Sequence, residues 1–132
     1  MKSVTIVAQD KVGLLADISY ILAKSKINID SISVDVLSDK SVIAMSVSDP
    51  KKGKEVLEAA GYSVEANTLV IKISLSEVDQ LPEKLSKEGV KIENSSILTK
   101  DNDIAIVSLL VDKPKRASKV LQDVLITNES VY

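Results

Sequence analysis

The 132-residue chain has no cysteine, no histidine, no phenylalanine and no tryptophan. Each absence removes a class of chemistry. Without Cys there is no disulfide and no thiolate ligand or nucleophile. Without His there is no imidazole ligand and no Ser-His or Cys-His catalysis. The aromatic content is 2%, three tyrosines in all, too few for a surface that stacks nucleobases. Arg116 is the single arginine and the formal net charge is −2, so no bulk attraction to nucleic acid or to an anionic membrane is expected. No apolar run reaches the length of a membrane helix. Met1-Lys2-Ser3 enters a strand pattern at once, without a signal peptide, and the expected location is cytoplasmic. With 45% hydrophobic and 27% charged residues the composition is that of a globular chain.

What is present begins with an apolar strand, Val4-Thr5-Ile6-Val7-Ala8. Gln9-Asp10-Lys11-Val12-Gly13-Leu14-Leu15 follows and opens a helix whose apolar face is Leu14, Ile18, Ile21 and Leu22. Asp10 is placed to cap that helix, and Gly13 leaves backbone uncovered. Such a strand-to-helix turn presents unpaired N–H groups and the positive end of the helix dipole, where a carboxylate can sit. Read alone, the same residues also describe an ordinary capped helix start.

Ile32, Val34 and Val36 alternate with Ser31, Ser33 and Asp35, the pattern of a half-buried strand within Ile27 to Leu37. Ser38-Asp39-Lys40 is a turn, and Val42 to Val47 is the returning strand. Asp49-Pro50 starts a second helix with Val56, Leu57 and Ala60 on its apolar face, and Gly61 ends it. Tyr62 to Glu65 is a short strand. The order β-α-β-β-α-β is the ferredoxin-like arrangement. It then begins again, with a strand over Leu69–Leu75 and a helix marked by Val78, Leu81 and Leu85, with Pro82 near its start. Strands from Ile92 and over Ile104–Val111 follow, then a helix from Asp112-Lys113-Pro114 and a last strand over Thr127–Tyr132. A shift of 63 positions, which carries Leu22 to Leu85, also sets Ile43 on Ile106, Asp49 on Asp112 and Leu57 on Val120. This reads as an internal duplication. The fold class expected is α+β: two ferredoxin-like βαββαβ repeats, residues 1–66 and 67–132, with antiparallel sheets and helices on one face. Glu65-Ala66-Asn67 is the whole linker, so the units must pack closely.

Fold alone does not give function. The strands Val4–Ala8 and Val42–Val47 carry no aromatic for RNA, there is no cysteine pair for a heavy metal, and Arg116 is far from the first loop, where a phosphate-ester hydrolase of this fold places its arginine. Glu55 with Glu58 and Asp101 with Asp103 are acid pairs at spacings typical of solvated faces and turns. What remains is the first turn together with Ile27-Asn28-Ile29. In a ferredoxin-like unit the two are expected at neighbouring positions along one end of the sheet. The second strand is an edge strand, open to pairing with another unit. Two units paired by these edges can set Asp10 and Gly13 of one against Asn28 of the other, and those groups match a free α-amino acid: carboxylate on the helix start, ammonium on Asp10 or the Asn28 amide oxygen.

Val4 to Leu15, with Asp10-Lys11-Val12-Gly13-Leu14-Leu15 in the turn and Ile27-Asn28-Ile29 at the next strand, resembles the ACT domain family. That family's signature is a strand, Asp-x-Pro-Gly-x-Leu, a helix, and a strand starting hydrophobic-Asn-Ile. Val12 stands where the family usually has Pro. The resemblance implies side-by-side pairing into a continuous eight-stranded sheet, with small ligands, often amino acids, at the pairing interface. By position it implies that Asp10, Lys11, Val12, Gly13, Leu14 and Leu15 line the ligand turn and that Asn28 and Ile29 face it. The second repeat departs from the signature: under the shift Asp10 becomes Ile73, Gly13 becomes Ser76 and Asn28 becomes Lys91. Its expected roles are a unit without a site, or a permanent partner completing the first unit's interface.

Two readings follow. One is a non-catalytic, amino-acid-binding regulatory protein, needing no cofactor or metal, a homo-oligomer that passes its signal to a partner enzyme. The other is a ligand-free module that oligomerises or docks on an enzyme through its edge strands.

Overall fold

The computed structural model describes residues 3–126. β1 (Ser3–Gln9), α1 (Leu14–Lys24), β2 (Ile29–Leu37), β3 (Lys40–Val47), α2 (Pro50–Ala59) and β4 (Ser63–Ala66) build a sheet in the order β2-β3-β1-β4. β5 (Leu69–Ser74), a 3-10 helix (Leu75–Gln80), α3 (Leu81–Lys87), β6 (Ile92–Asp101), β7 (Ile104–Val111) and α4 (Pro114–Val120) build a second, in the order β5-β7-β6. Adjacent strands pair antiparallel. After α4 the chain returns beside β5, where Leu125 bridges Ile71. That is the place β4 holds beside β1, so both units follow the ferredoxin-like order. The strand expected over Thr127–Tyr132 lies outside the described residues.

Each sheet buries one face under its own helices. Val4, Ile6, Ile43, Met45, Val47 and Val64 meet Leu14, Ile18 and Leu22 of α1 and Leu57 of α2. Leu69, Ile71, Ile73, Val107 and Leu109 meet Leu81 and Leu85 of α3 with Ala117 and Leu121. The start of α2 is as expected, with the Asp49 carboxylate accepting the Lys52 amide at 3.1 Å and Pro50 the first helical residue.

The backbone repeats the order of elements, but the two halves do not correspond at one fixed shift. Val107, not Ile106, holds the place of Ile43 in the helix-side core, and Leu121, not Val120, that of Leu57. The cause is a bulge in β6 between Ile97 and Thr99, which takes in one extra residue and sets everything after it one position out of step. Asp112 therefore stands where Ser48 does, not where Asp49 does. Its carboxylate accepts the Lys91 amide at 2.8 Å, as the Ser48 hydroxyl accepts the Asn28 amide at 3.0 Å, and Lys113 takes the N-cap of α4. The third helix also starts later than expected. Pro82 has no N–H to give the Val78 carbonyl, which instead accepts from Leu81 and closes a 3-10 turn.

The helix-free faces of the two sheets pack on each other. Val42, Val70 and Ile106 bury together, with Val7, Leu37 and Leu98 around them, and Lys72 of β5 pairs with Asp35 of β2 at 3.2 Å. The two-residue link turns at Asn67, whose φ is 59°. The halves thus form stacked layers, not one eight-stranded sheet, and the second unit does not cover the β2 edge. Ile32, Val34 and Val36 lie on the helix side of β2, yet they stay 43–47% exposed, because of all β2 only Ile29 packs against the helix-side core.

Gly53 in α2 faces Leu22, Val4 and Val47, and a Cβ there meets them at 3.7–3.9 Å, ordinary contact. Gly53→Ala should stabilise the chain by about 0.5–1 kcal/mol, the cost of a helix-interior glycine. Leu22→Ala should destabilise it by about 2–5 kcal/mol. Urea unfolding midpoints at unchanged slope measure both.

Candidate functional site

The turn after β1 rests on the β2–β3 hairpin. Gln9 pairs with Lys40, and Lys40 with Leu37, so the chain leaving β1 passes beside Ser38-Asp39. The Asp10 amide donates to the Asp39 carbonyl at 2.9 Å, and the Gln9 side-chain amide donates to the Asp39 carboxylate at 2.8 Å. That second bond holds the Asp39 carboxyl below its ordinary range. The Ser41 hydroxyl donates to the Asp10 carboxylate at 2.8 Å.

Asp10 is therefore fixed to the sheet and does not cap α1, contrary to the expectation from sequence. Gly13 is the N-cap, in the left-handed region at φ 85°, and α1 has no side-chain cap bond. A Cβ at Gly13 meets nothing within 4 Å, so glycine is required there by φ alone. The Gly13 carbonyl accepts the Asp17 amide at 2.9 Å. Among the described residues the Leu15 and Ala16 amides have no acceptor, which leaves the positive end of the helix open to an anion. Val12 is fully exposed and Leu15 is 42% exposed at this opening, Lys11 is exposed, and Leu14 is buried in the core. Ser41 lies directly opposite Val36, which joins the Asp10–Ser41 pair to the exposed apolar stripe of β2.

Asn28 and Ile29 are elsewhere. β1 and β2 both run antiparallel to β3, so they are parallel to each other, and α1 carries the chain back to the far end of the sheet. The nine residues of β2 separate Asn28 from the turn, roughly 27 Å at the usual rise per residue. The expectation that the two lie at one end of the sheet is corrected: one chain does not bring Asp10 and Asn28 together. The Asn28 backbone is held by Ser48, and its side chain has no partner among the described residues. Ile29 is half-buried against the core.

Ser41, Gln9 and Asp39 shape the turn without a local sequence signal, since the pairs involved are 30 or 31 positions apart. Tyr62 is a further case. Its hydroxyl donates to the Asp17 carboxylate in the first turn of α1, and that acceptor pushes the phenol up to about 12.

In the second unit Ser74 donates to the Asp103 carboxylate at 2.7 Å, as Gln9 does to Asp39, which puts Leu75 in the place of Asp10. Two residues fewer separate Ser74 from Leu81 than Gln9 from Ile18. The 3-10 helix starts directly after β5, with neither a glycine nor a loop in between. Clefts of about 440 and 520 Å³ flank α3, and neither includes a residue of the first turn. Among the described residues no cluster of acids can hold a metal ion, and no helix is long and apolar enough to cross a membrane.

The fold and its open turn define a ferredoxin-like α+β protein. Residues 2–62, which make up most of the first unit, match the model of the ACT domain. No curated protein matches its sequence significantly. Among solved structures it is similar to a Bacteroides thetaiotaomicron protein, 24% identical over 98% of this chain and 94% of that one, with a TM-score of 0.51. It is also similar to the ligand-free regulatory subunit of aspartate kinase from Thermus thermophilus, 18% identical over 91% and 87%, TM-score 0.43. A third is the small subunit of acetolactate synthase from Thermotoga maritima, 15% identical over 93% and 88%, TM-score 0.41.

A free phenol ionises near pH 10 and Tyr62 only near 12, so the folded state keeps its proton longer. The stability this bond gives is complete below pH 10 and is lost as pH rises to 12. Unfolding midpoints across that interval should fall more steeply for the wild type than for Tyr62→Phe, and equal slopes would remove the bond from the account.

Proposed function

We propose that the chain is a non-catalytic regulatory protein that binds a small molecule, an amino acid, at an interface between ACT units. The open first turn of α1 beside the fixed Asp10 carboxylate carries this reading. A ligand carboxylate bonds the Leu15 and Ala16 amides, its ammonium bonds the free Asp10 oxygen, and its side chain lies on Val12 and Leu15. Lys11 and Gly13 complete the turn, Leu14 anchors it from below, and Asn28 and Ile29 of a facing unit close it. Residues 1–66 are the binding unit, and residues 67–132 are an ACT-like unit whose turn is too short to bind. A ligand held between units favours the assembly that closes around it, and that shift is the signal passed to a partner enzyme in the cytoplasm. Neither nucleic acid nor a membrane has a part in this reading.

A second reading, a ligand-free docking module, is favoured by one observation, the uncovered apolar stripe of β2.

Thermal unfolding against a panel of amino acids separates the two. A ligand at about 100 times its dissociation constant adds about 2.7 kcal/mol, a rise in midpoint on the order of 5 °C for a chain of this size. One or two amino acids should raise the midpoint. Gly13→Val, which forces a side chain to φ 85°, should abolish the rise at a cost of about 1–2 kcal/mol in stability. Asn28→Ala should abolish it with stability nearly unchanged. A flat panel sinks the ligand reading and leaves the docking module.

A further inference from the structure

The seam between the two sheets is built differently from the cores beneath the helices. Among the described residues the helix-side cores hold twelve and eleven buried apolar residues, and the seam holds three, Val42, Val70 and Ile106. Each unit therefore closes its own core without the other. Much of the remaining seam is hydroxyl. Ser3, Thr5, Ser46 and Ser108 are buried on the helix-free faces of β1, β3 and β7. The side-chain oxygens of Thr5, Ser31 and Thr68 are buried, with no hydrogen-bond partner among the described residues. All three belong to this layer. Ser31 lies on the helix-free face of β2 opposite Ser46, and Thr68 is in the link. A buried hydroxyl without a partner is destabilising, and here such groups gather on the surface that joins the units.

The ties across the seam lie at its two sides. At the link, the Ser3 hydroxyl donates to the Thr68 carbonyl at 3.3 Å and the Asn67 amide donates to the Ser3 carbonyl at 2.9 Å. On β2, the edge of the first sheet away from β4, Asp35 takes Lys72 at 3.2 Å, with the two side chains still 28% and 38% exposed. Water competes readily for an ion pair so exposed. Only Asn67 and Thr68 separate β4 from β5, and exposed Asn67 carries the turn at φ 59°. The units are thus joined at one side and latched at the other.

We infer that the seam is a joint: the two units part along it as intact bodies, turning about Asn67-Thr68 and releasing the Lys72–Asp35 latch. An intrachain contact that is small and partly polar permits relative motion of the bodies it joins. Parting uncovers Val42, Val70 and Ile106, and water reaching Thr5, Ser31 and Thr68 offsets part of that exposure. The joint also reaches the first turn. Asp35 lies opposite Val42, and the residue before Val42 is Ser41, which holds Asp10. The latch therefore steadies the hairpin on which Asp10 rests, whether or not a ligand binds beside it.

The chain has no cysteine, so one introduced thiol reports its own position. Ser108→Cys and Ala44→Cys place it on the seam, one in each unit, at sites 2% exposed. Ala105→Cys places it on the helix-side face of the strand that carries Ser108. β3 and β7 are interior strands, so fraying of a sheet edge does not reach these sites. With an aromatic disulfide reagent in native buffer, both seam thiols should react roughly tenfold faster than the core thiol, or more, through an opening short of unfolding. Their rates should rise with urea far less steeply than the core thiol's, because parting exposes less surface than unfolding. Asp35→Asn should speed both seam thiols severalfold, and Thr5→Val, which removes an unpartnered hydroxyl at nearly the same shape, should slow them. The two seam sites read one event from either side, so a seam variant that fails to fold leaves the other to decide. Seam thiols as slow as the core thiol with the same urea slope, or seam rates that Asp35→Asn leaves unchanged, would overturn the inference.

Discussion

Both β1 and β2 lie antiparallel to β3, and that single constraint sets the first turn and Asn28 apart. Parallel strands joined by a helix begin at the same end of the sheet, so the turn leaving β1 and the residues opening β2 fall at opposite ends. A ligand that touches both Asp10 and Asn28 cannot do so within one chain. Under the proposed regulatory reading, binding and assembly would be linked: whatever closes the site would also favour the paired state, and by reciprocity pairing would raise affinity for the ligand. That reading needs neither a hinge nor a lid.

The stacked arrangement of the halves leaves the β2 edge uncovered by the second unit. The first unit's sheet has helices on one face and the second sheet on the other, where Val42, Val70 and Ile106 are fully buried. β2 belongs to every part of this arrangement. Asp35 reaches Lys72 in the other layer, Val36 lies opposite the Ser41 that holds Asp10, and Ile32, Val34 and Val36 form the free flank. A displacement of β2 therefore meets the first turn on one side and the second unit on the other through contiguous contacts. The hydroxyl-rich surroundings of that layer, with Ser3, Thr5, Ser46 and Ser108 buried on the helix-free faces, make it less apolar than either helix-side core.

The order of elements was legible because it is written in local patterns: period-two strands, Asp49-Pro50 at a helix start, Gly61 at its end. The core face of α1 followed from helical spacing alone; on α2 Leu57 is buried and Val56 packs against the core, but Ala60, expected beside them, is exposed at the helix end. What the sequence hid was pairwise and distant. The alternation of Ile32, Val34 and Val36 has the form of a buried face, and only the sheet order shows that this face runs past the helices. Asp10 has the chemistry of a cap, but a serine 31 positions away competes for it and wins, leaving Gly13 to start the helix through its φ. The stacking of the sheets had no local signal either, since the alternation in β3 and β7 is apolar on both faces and does not say what covers each.

The same comparison explains how the halves diverged. An extra residue in β6 formed a bulge and moved Asp112 off the cap, yet the tie it makes to Lys91 repeats the tie of Ser48 to Asn28. Two residues lost after β5 removed the loop and brought the 3-10 helix directly onto the strand, while Ser74 and Asp103 kept the contact that Gln9 makes with Asp39. Both differences lie outside the helix-side core, one at the β6 edge and one at the turn after β5. The framework contacts survived in altered chemistry because the fold needs them. A unit of this fold can differ at its turn and at its edge without losing its core, because the helix spacing and the sheet register that build the core lie elsewhere.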